Sequence, residues 1–166
     1  MRRRPWLWRV PLVLFAVVAL AIRFAPTDAG AWALDPGAPD FTPPEAAAVF
    51  CPEPGTRHFA EATEADLVRL GAIAEAWRGT RRIAGEEGGP VTWQTRSRIV
   101  GFPDYTSAAL RNWGEVTGLC IVARQRYGAF DWGVNARRVG DWVAGLWGLE
   151  ERPPMVAPAA WTGGPG

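Results

Sequence analysis

From Val10 to Ile22 the chain runs thirteen residues without a charge, bracketed by Arg9 and Arg23. That pattern predicts an N-terminal hydrophobic helix. Thirteen helical residues reach only about 20 Å against a hydrocarbon core of about 30 Å, so a span must also draw on Trp6 to Arg9 and Arg23 to Ala25. Arg9 and Arg23 would then snorkel while Trp6 and Trp8 sit at the interface. Ala29-Gly30-Ala31 has the small-x-small form of a signal cleavage site, whereas Arg23 directly after the apolar run favours an uncleaved anchor. Residues 1–25 are expected as a signal anchor or transmembrane helix. Arg2, Arg3, Arg4 and Arg9 on one side, against Arg23, Asp28, Asp35 and Asp40 on the other, keep the N-terminus cytoplasmic. The remainder is then the periplasmic part of a single-pass protein of a bacterial inner membrane.

Pro36, Pro39, Pro43, Pro44, Pro52 and Pro54 mark residues 26–55 as an extended linker, with Trp32 and Phe41 as docking points. Thr63-Glu64-Ala65-Asp66 resembles a capping box and opens a helix whose Leu67, Leu70, Ala74 and Trp77 share one face, stopped by Gly79. Just before it, Arg57 to Glu61 reads as a short edge strand. After Gly88-Gly89-Pro90 the period changes to alternation. Val91, Trp93 and Ile99 fall on one strand face, Arg96 and Arg98 on the other. Further strands are expected over Tyr105 to Trp113 and Leu119 to Tyr127. Helical spacing returns at Val134 to Trp147, where Val139, Trp142, Val143, Leu146 and Trp147 form a wide apolar stripe. The expected fold is α+β: a two-layer sandwich of a three- to four-stranded antiparallel sheet with two helices on one face, over residues 56–149. Residues 150–166, rich in proline and glycine, read as a disordered tail.

Composition narrows the chemistry. At 166 residues and 48% apolar, the chain supports one core beside its leader. All eighteen cationic residues are arginine, so Schiff-base chemistry, lysine bases and the Gly-Lys-Ser/Thr phosphate loop are excluded. One histidine and two cysteines make a zinc site of several His and Cys implausible; no metal and no cofactor are expected. From Trp32 onward thirteen arginines face sixteen acids, so nucleic-acid binding has no electrostatic support. Cys51 and Cys120 either pair across a long loop in an oxidising compartment or stay buried as free thiols.

One local pattern occurs twice. Arg96-Ser97-Arg98-Ile99-Val100-Gly101-Phe102-Pro103-Asp104-Tyr105 is echoed by Arg124-Gln125-Arg126-Tyr127-Gly128-Ala129-Phe130-Asp131-Trp132. Together with Gly133, Val134, Asn135 and Arg138, these residues resemble the family catalogued as domain of unknown function 1499, over Phe59 to Leu149. Trp32-Ala33-Leu34-Asp35-Pro36 is similar to the short Trp-x-x-Asp-Pro element of that family; Gln125 and Ala136 depart from its pattern. The resemblance implies no activity.

The arginines carry two readings. Arg96, Arg98, Arg124, Arg126 and Arg138 would form an anion site of planar guanidinium forks on the sheet face away from the helices. Alternatively they pair with Asp104, Asp131, Glu115 and nearby carbonyls. Asp104, Asp131, Gly133 and Asn135 read as turn and cap residues, with Asn135 and Asp131 competing to cap the last helix. His58 reads as structural, and a Ser97/His58/Asp104 triad has no support from spacing. The expectation is a membrane-anchored, periplasm-facing, non-catalytic module whose arginine-rich face takes an anionic ligand, lipid headgroup or protein. The alternative is an enzyme acting on an anionic envelope metabolite.

Overall fold

The computed structural model describes residues 6–128 and 131–155. Its elements are helices α1 (Trp6–Arg23), α2 (Ala29–Trp32), α3 (Glu64–Ala76) and α4 (Val134–Trp147), and strands β1 (Ala48–Phe50), β2 (Thr80–Ala84), β3 (Val91–Arg96), β4 (Pro103–Asn112) and β5 (Thr117–Gln125). The architecture is α+β, with one five-stranded antiparallel sheet in the order β1-β5-β4-β3-β2. β3, β4 and β5 form a meander, and β1 and β2 are the edges.

The capping box at α3 forms, with Asp66 accepting the Thr63 backbone N–H at 2.8 Å and its hydroxyl at 2.8 Å. Gly148 closes α4 in the left-handed conformation at φ 63°. The apolar stripes of both helices meet Val91, Trp93, Leu119, Ile121 and Ala123 in the main core, where the Trp93 and Trp142 rings pack edge to face at 5.8 Å. Period-2 alternation then puts Cys120 and Val122 on the opposite face, against Val49 and Cys51 of the edge strand. The pairing of Phe50 with Ile121 brings Cys51 to Cys120, and the two form a disulfide.

Several expectations are corrected. The sheet has five strands because β1 and β2 supply its edges; Arg57 to Glu61 contributes only a bridge from Glu61 to Gly118. The first expected strand stops at Arg96, so Ile99 lies in the β3–β4 turn and is 88% exposed instead of in the core. Residues 26–55 are not a free linker: they contain α2 and β1, bury Pro36 and Pro43, and lay Leu34 and Phe41 on the second sheet face. At Gly37 the approach is so close that a Cβ would lie 2.1 Å from the Leu110 carbonyl oxygen. The sheet therefore has both faces covered. Glu150 to Met155 also folds back, with Met155 against the core and Arg152 paired to Asp141; the expected tail beyond it lies outside the described residues.

α1 forms over eighteen residues with Pro11 inside. Among the described residues, no helix is long and apolar enough to cross a membrane. The uncharged run is cut to thirteen residues by its flanking arginines, and the interface anchors expected of Trp6 and Trp8 rest on side chains outside the description.

Candidate anion site at the arginine-rich end

The segment after α1 crosses the face of the sheet where the arginines emerge. Arg96 donates to the carbonyls of Ile22 and Ala25, both at 3.2 Å, and to that of Gly101 at 3.1 Å. Arg126 donates to the Pro26 carbonyl at 2.7 Å, and the buried Gln94 amide to the Thr27 hydroxyl at 2.5 Å. Arg124 donates to the carbonyls of Ala31 and Trp32 at 3.4 and 3.3 Å. Its guanidinium lies 4.6 Å from the centre of the Trp32 ring, which stacks on Tyr105 with centroids 4.1 Å apart. Asp28 supports the segment by accepting the Gly30 N–H at the start of α2. Residues 22–32 thus form a strap held by arginine-to-carbonyl bonds and one aromatic sandwich.

Three of the five expected anion-site arginines therefore share a face, but their forks hold backbone carbonyls of this chain. Carbonyls satisfy hydrogen bonds without cancelling charge. Burial lowers the Arg124 pKa from its usual value, with Tyr105 opposing. Arg98 stands apart: it follows the end of β3 and points from the turn, because period-2 spacing applies only inside the strand.

Arg138 belongs to another layer. It is buried beneath α4, bonded to Asp104 at 3.4 Å, to the Thr106 hydroxyl at 3.1 Å and to the Asn135 side-chain oxygen. Burial raises the Asp104 pKa above the ordinary carboxylate value, an effect Arg138 opposes and Asp131 reinforces. Burial likewise lowers that of Arg138, against the pull of Asp104. Asp104 is thus a half-buried ion-pair partner in β4 rather than a turn residue. Asp131 takes the cap, accepting the Gly133 and Asn135 N–H groups at 2.8 and 2.7 Å, while Gly133 supplies the left-handed φ of 73°. Asn135 does not cap; its side chain turns inward to Arg138.

Two adjoining cavities open at this end of the sheet. The first, about 390 Å³, is lined by Arg23, Phe24, Arg78, Gly79, Arg96, Ser97 and Arg98, four cations without an acid. The second, about 420 Å³, adds Arg137, Arg138 and Arg152 together with Asp104 and Asp141. Among the described residues the ion pairs are Arg69–Asp66, Arg82–Glu75, Arg138–Asp104 and Arg152–Asp141; none involves the four arginines of the first cavity. Sequence reasoning missed Arg23 and Arg78. Both lie outside the doubled motif, and only the return of α1 and of the α3–β2 turn to this end brings them in. The Ser97 hydroxyl accepts the Gly101 and Phe102 N–H groups, and His58 lines a separate cavity with Glu150 and Glu151, so no triad assembles. Among the described residues no cluster of His, Cys, Asp and Glu could hold a metal.

Comparison with protein-family models, curated proteins and solved structures returns no match.

Proposed function

We propose that this chain is a non-catalytic binding module, held at a bacterial inner membrane by α1 with its domain on the periplasmic side, that takes an anionic ligand in the first arginine cavity. The observation carrying the reading is that cavity: Arg23, Arg78, Arg96 and Arg98 converge with no carboxylate among its lining residues. Four guanidiniums repel one another, so an anion entering between them gains from all four fields and from bidentate geometry. The Cys51–Cys120 disulfide suits an oxidising compartment. The exposed apolar surface of α1, with Leu14 and Phe15 each 62% exposed, suits lipid. Likeness to domain of unknown function 1499 belongs to the same reading and rests on the doubled arginine motif.

A second reading, an enzyme on an anionic envelope metabolite, draws on Asp104: a carboxyl with a raised pKa beside arginines suits a general acid. Against it, Asp104 is engaged by Arg138, and the neighbouring Ser97 hydroxyl is committed to its turn.

The test is calorimetric titration of the full chain in detergent with inorganic phosphate, with Arg78→Gln and Arg98→Gln as variants. Both side chains are exposed, so the fold should tolerate their loss. Binding weakened about tenfold in the double variant is expected, about 0.7 kcal/mol from each exposed, solvent-screened guanidinium. Equal affinity in wild type and variant, or no binding, overturns the reading.

A further inference from the structure

One end of the sheet gathers features that its core does not use. Among the described residues, eight large apolar side chains are exposed beyond α1; seven of them lie at this end, and Leu149 is the exception. Scattered apolar side chains on a surface are ordinary, but concentration at one pole is not. The three most exposed are Phe24 at 75%, Ile99 at 88% and Trp132 at 87%. Each is carried by a different connection: the end of α1, the β3–β4 turn and the approach to α4. Trp132 also adopts φ 54°, a left-handed conformation that a bulky residue rarely takes. At the same end of the sheet Phe102 packs edge to face on Tyr127, with centroids 6.2 Å apart.

The same pole is cationic. The acid-free cavity opens here, and Arg137 donates to the Trp132 carbonyl at 2.9 Å. α1 ends here too. Its Arg23 side chain packs on the β3–β4 turn so closely that a Cβ at Gly101 would lie 3.1 Å from Arg23 Cγ, and its Ile22 carbonyl is bonded to Arg96. Any surface that α1 enters therefore meets this pole, and the strap fixes the approach.

We propose that this pole is a bilayer-docking face, with Phe24, Ile99 and Trp132 entering the headgroup layer of an anionic leaflet while Arg23, Arg78 and Arg98 engage lipid phosphates. This rests on the anion-binding reading above and assigns its ligand to lipid. The chemistry is that of interfacial anchoring: aromatic and aliphatic tips at the headgroup boundary, guanidiniums on phosphates, and each cation adding to attraction by an anionic surface. The tether keeps the face at a high local lipid concentration, so weak contacts suffice. Phe24 lines the acid-free cavity and Arg23 at the end of α1 joins it, so cationic and apolar groups meet where the helix would leave lipid, which selects an anionic leaflet over a protein partner.

The test places a nitroxide on the full chain at Ile99→Cys or Trp132→Cys, with Leu149→Cys as the distal control; the native cysteines are buried in their disulfide. Chains are reconstituted in phosphatidylcholine vesicles with or without phosphatidylglycerol. In anionic vesicles the labels at 99 and 132 should be reached by lipid-dissolved oxygen and shielded from an aqueous nickel chelate, while the label at 149 stays aqueous. Arg78→Gln with Arg98→Gln should cut partitioning of the labelled face into the bilayer by about thirtyfold. Labels at 99 and 132 as aqueous as the control overturn the proposal, and equal immersion without phosphatidylglycerol overturns its requirement for an anionic leaflet. If inorganic phosphate binds the chain in calorimetry while the labels stay aqueous, the cavity takes a free anion: docking fails and the anion-binding reading survives.

Discussion

Asp104 shows how little a residue's type says about its task. In the sequence it belongs to a Gly-Phe-Pro-Asp turn; in the fold it opens β4, and the inner side of α4 lowers Arg138 onto it. Its environment makes a pH prediction. The native state holds the Asp104 proton more tightly than the unfolded chain does, because burial disfavours the carboxylate. The stability this contributes is complete below the ordinary value of 3.8 and is lost as pH rises through the raised native value. Asp104→Asn cannot titrate, so the melting temperature of wild type minus that of the variant should grow as pH falls through that window. Melting curves across the acid range check this, and a difference that shrinks on acidification would show the carboxylate favoured in the fold instead. The same scale explains why Ile99 and Arg98 were misread. Their alternation continues that of β3 letter for letter, and only the turn bond from Ser97 N–H to the Phe102 carbonyl reveals that the strand has ended.

At the scale of elements, the long periodic segments were legible: both core helices and the three meander strands lie where their spacing puts them, with end shifts of a few residues. β1 was not legible. Three residues inside a proline-rich run carry no usable period, and the strand exists through its partner β5 and the cysteine pair beside their ladder. The disulfide should therefore matter more than the three-residue ladder suggests. It closes a sequence separation of 69 residues, for which chain entropy gives about 4 kcal/mol of stabilisation. Cys51→Ala with Cys120→Ala should lose about that much and free β1 from the edge, read as faster amide exchange at Val49 and Phe50 than in the meander. Uniform exchange across all strands would assign the lost stability to the whole domain and not to this edge.

For the whole molecule, the decisive feature is that the arginine face is closed by the chain itself. The doubled Arg-x-Arg motif announced a cationic face; it could not announce that residues 22–32 would lie across it, because a strap bonded mainly through its carbonyls leaves little side-chain signature beyond Thr27 and Trp32. The strap belongs to the domain, whereas the described part of α1 contributes nothing to either apolar cluster. Two truncations separate these parts. A chain beginning at Pro26 keeps the bonds to Arg124 and Arg126 and the Trp32 sandwich, losing the Ile22 and Ala25 carbonyls on Arg96 and the packing of Arg23 on the β3–β4 turn. It should unfold cooperatively with a loss of about 1 kcal/mol, since Arg96 can turn to water. A chain beginning at Asp35 removes the sandwich and leaves Tyr105, Gln94 and Arg124 uncovered, and should lose about 3–5 kcal/mol by the combined aromatic, cation–π and charged hydrogen-bond contributions. Denaturant unfolding of the two chains side by side reads the difference. Equal stability would mean that the strap only rests on the sheet, and the domain would then be free to swing away from the surface that α1 meets.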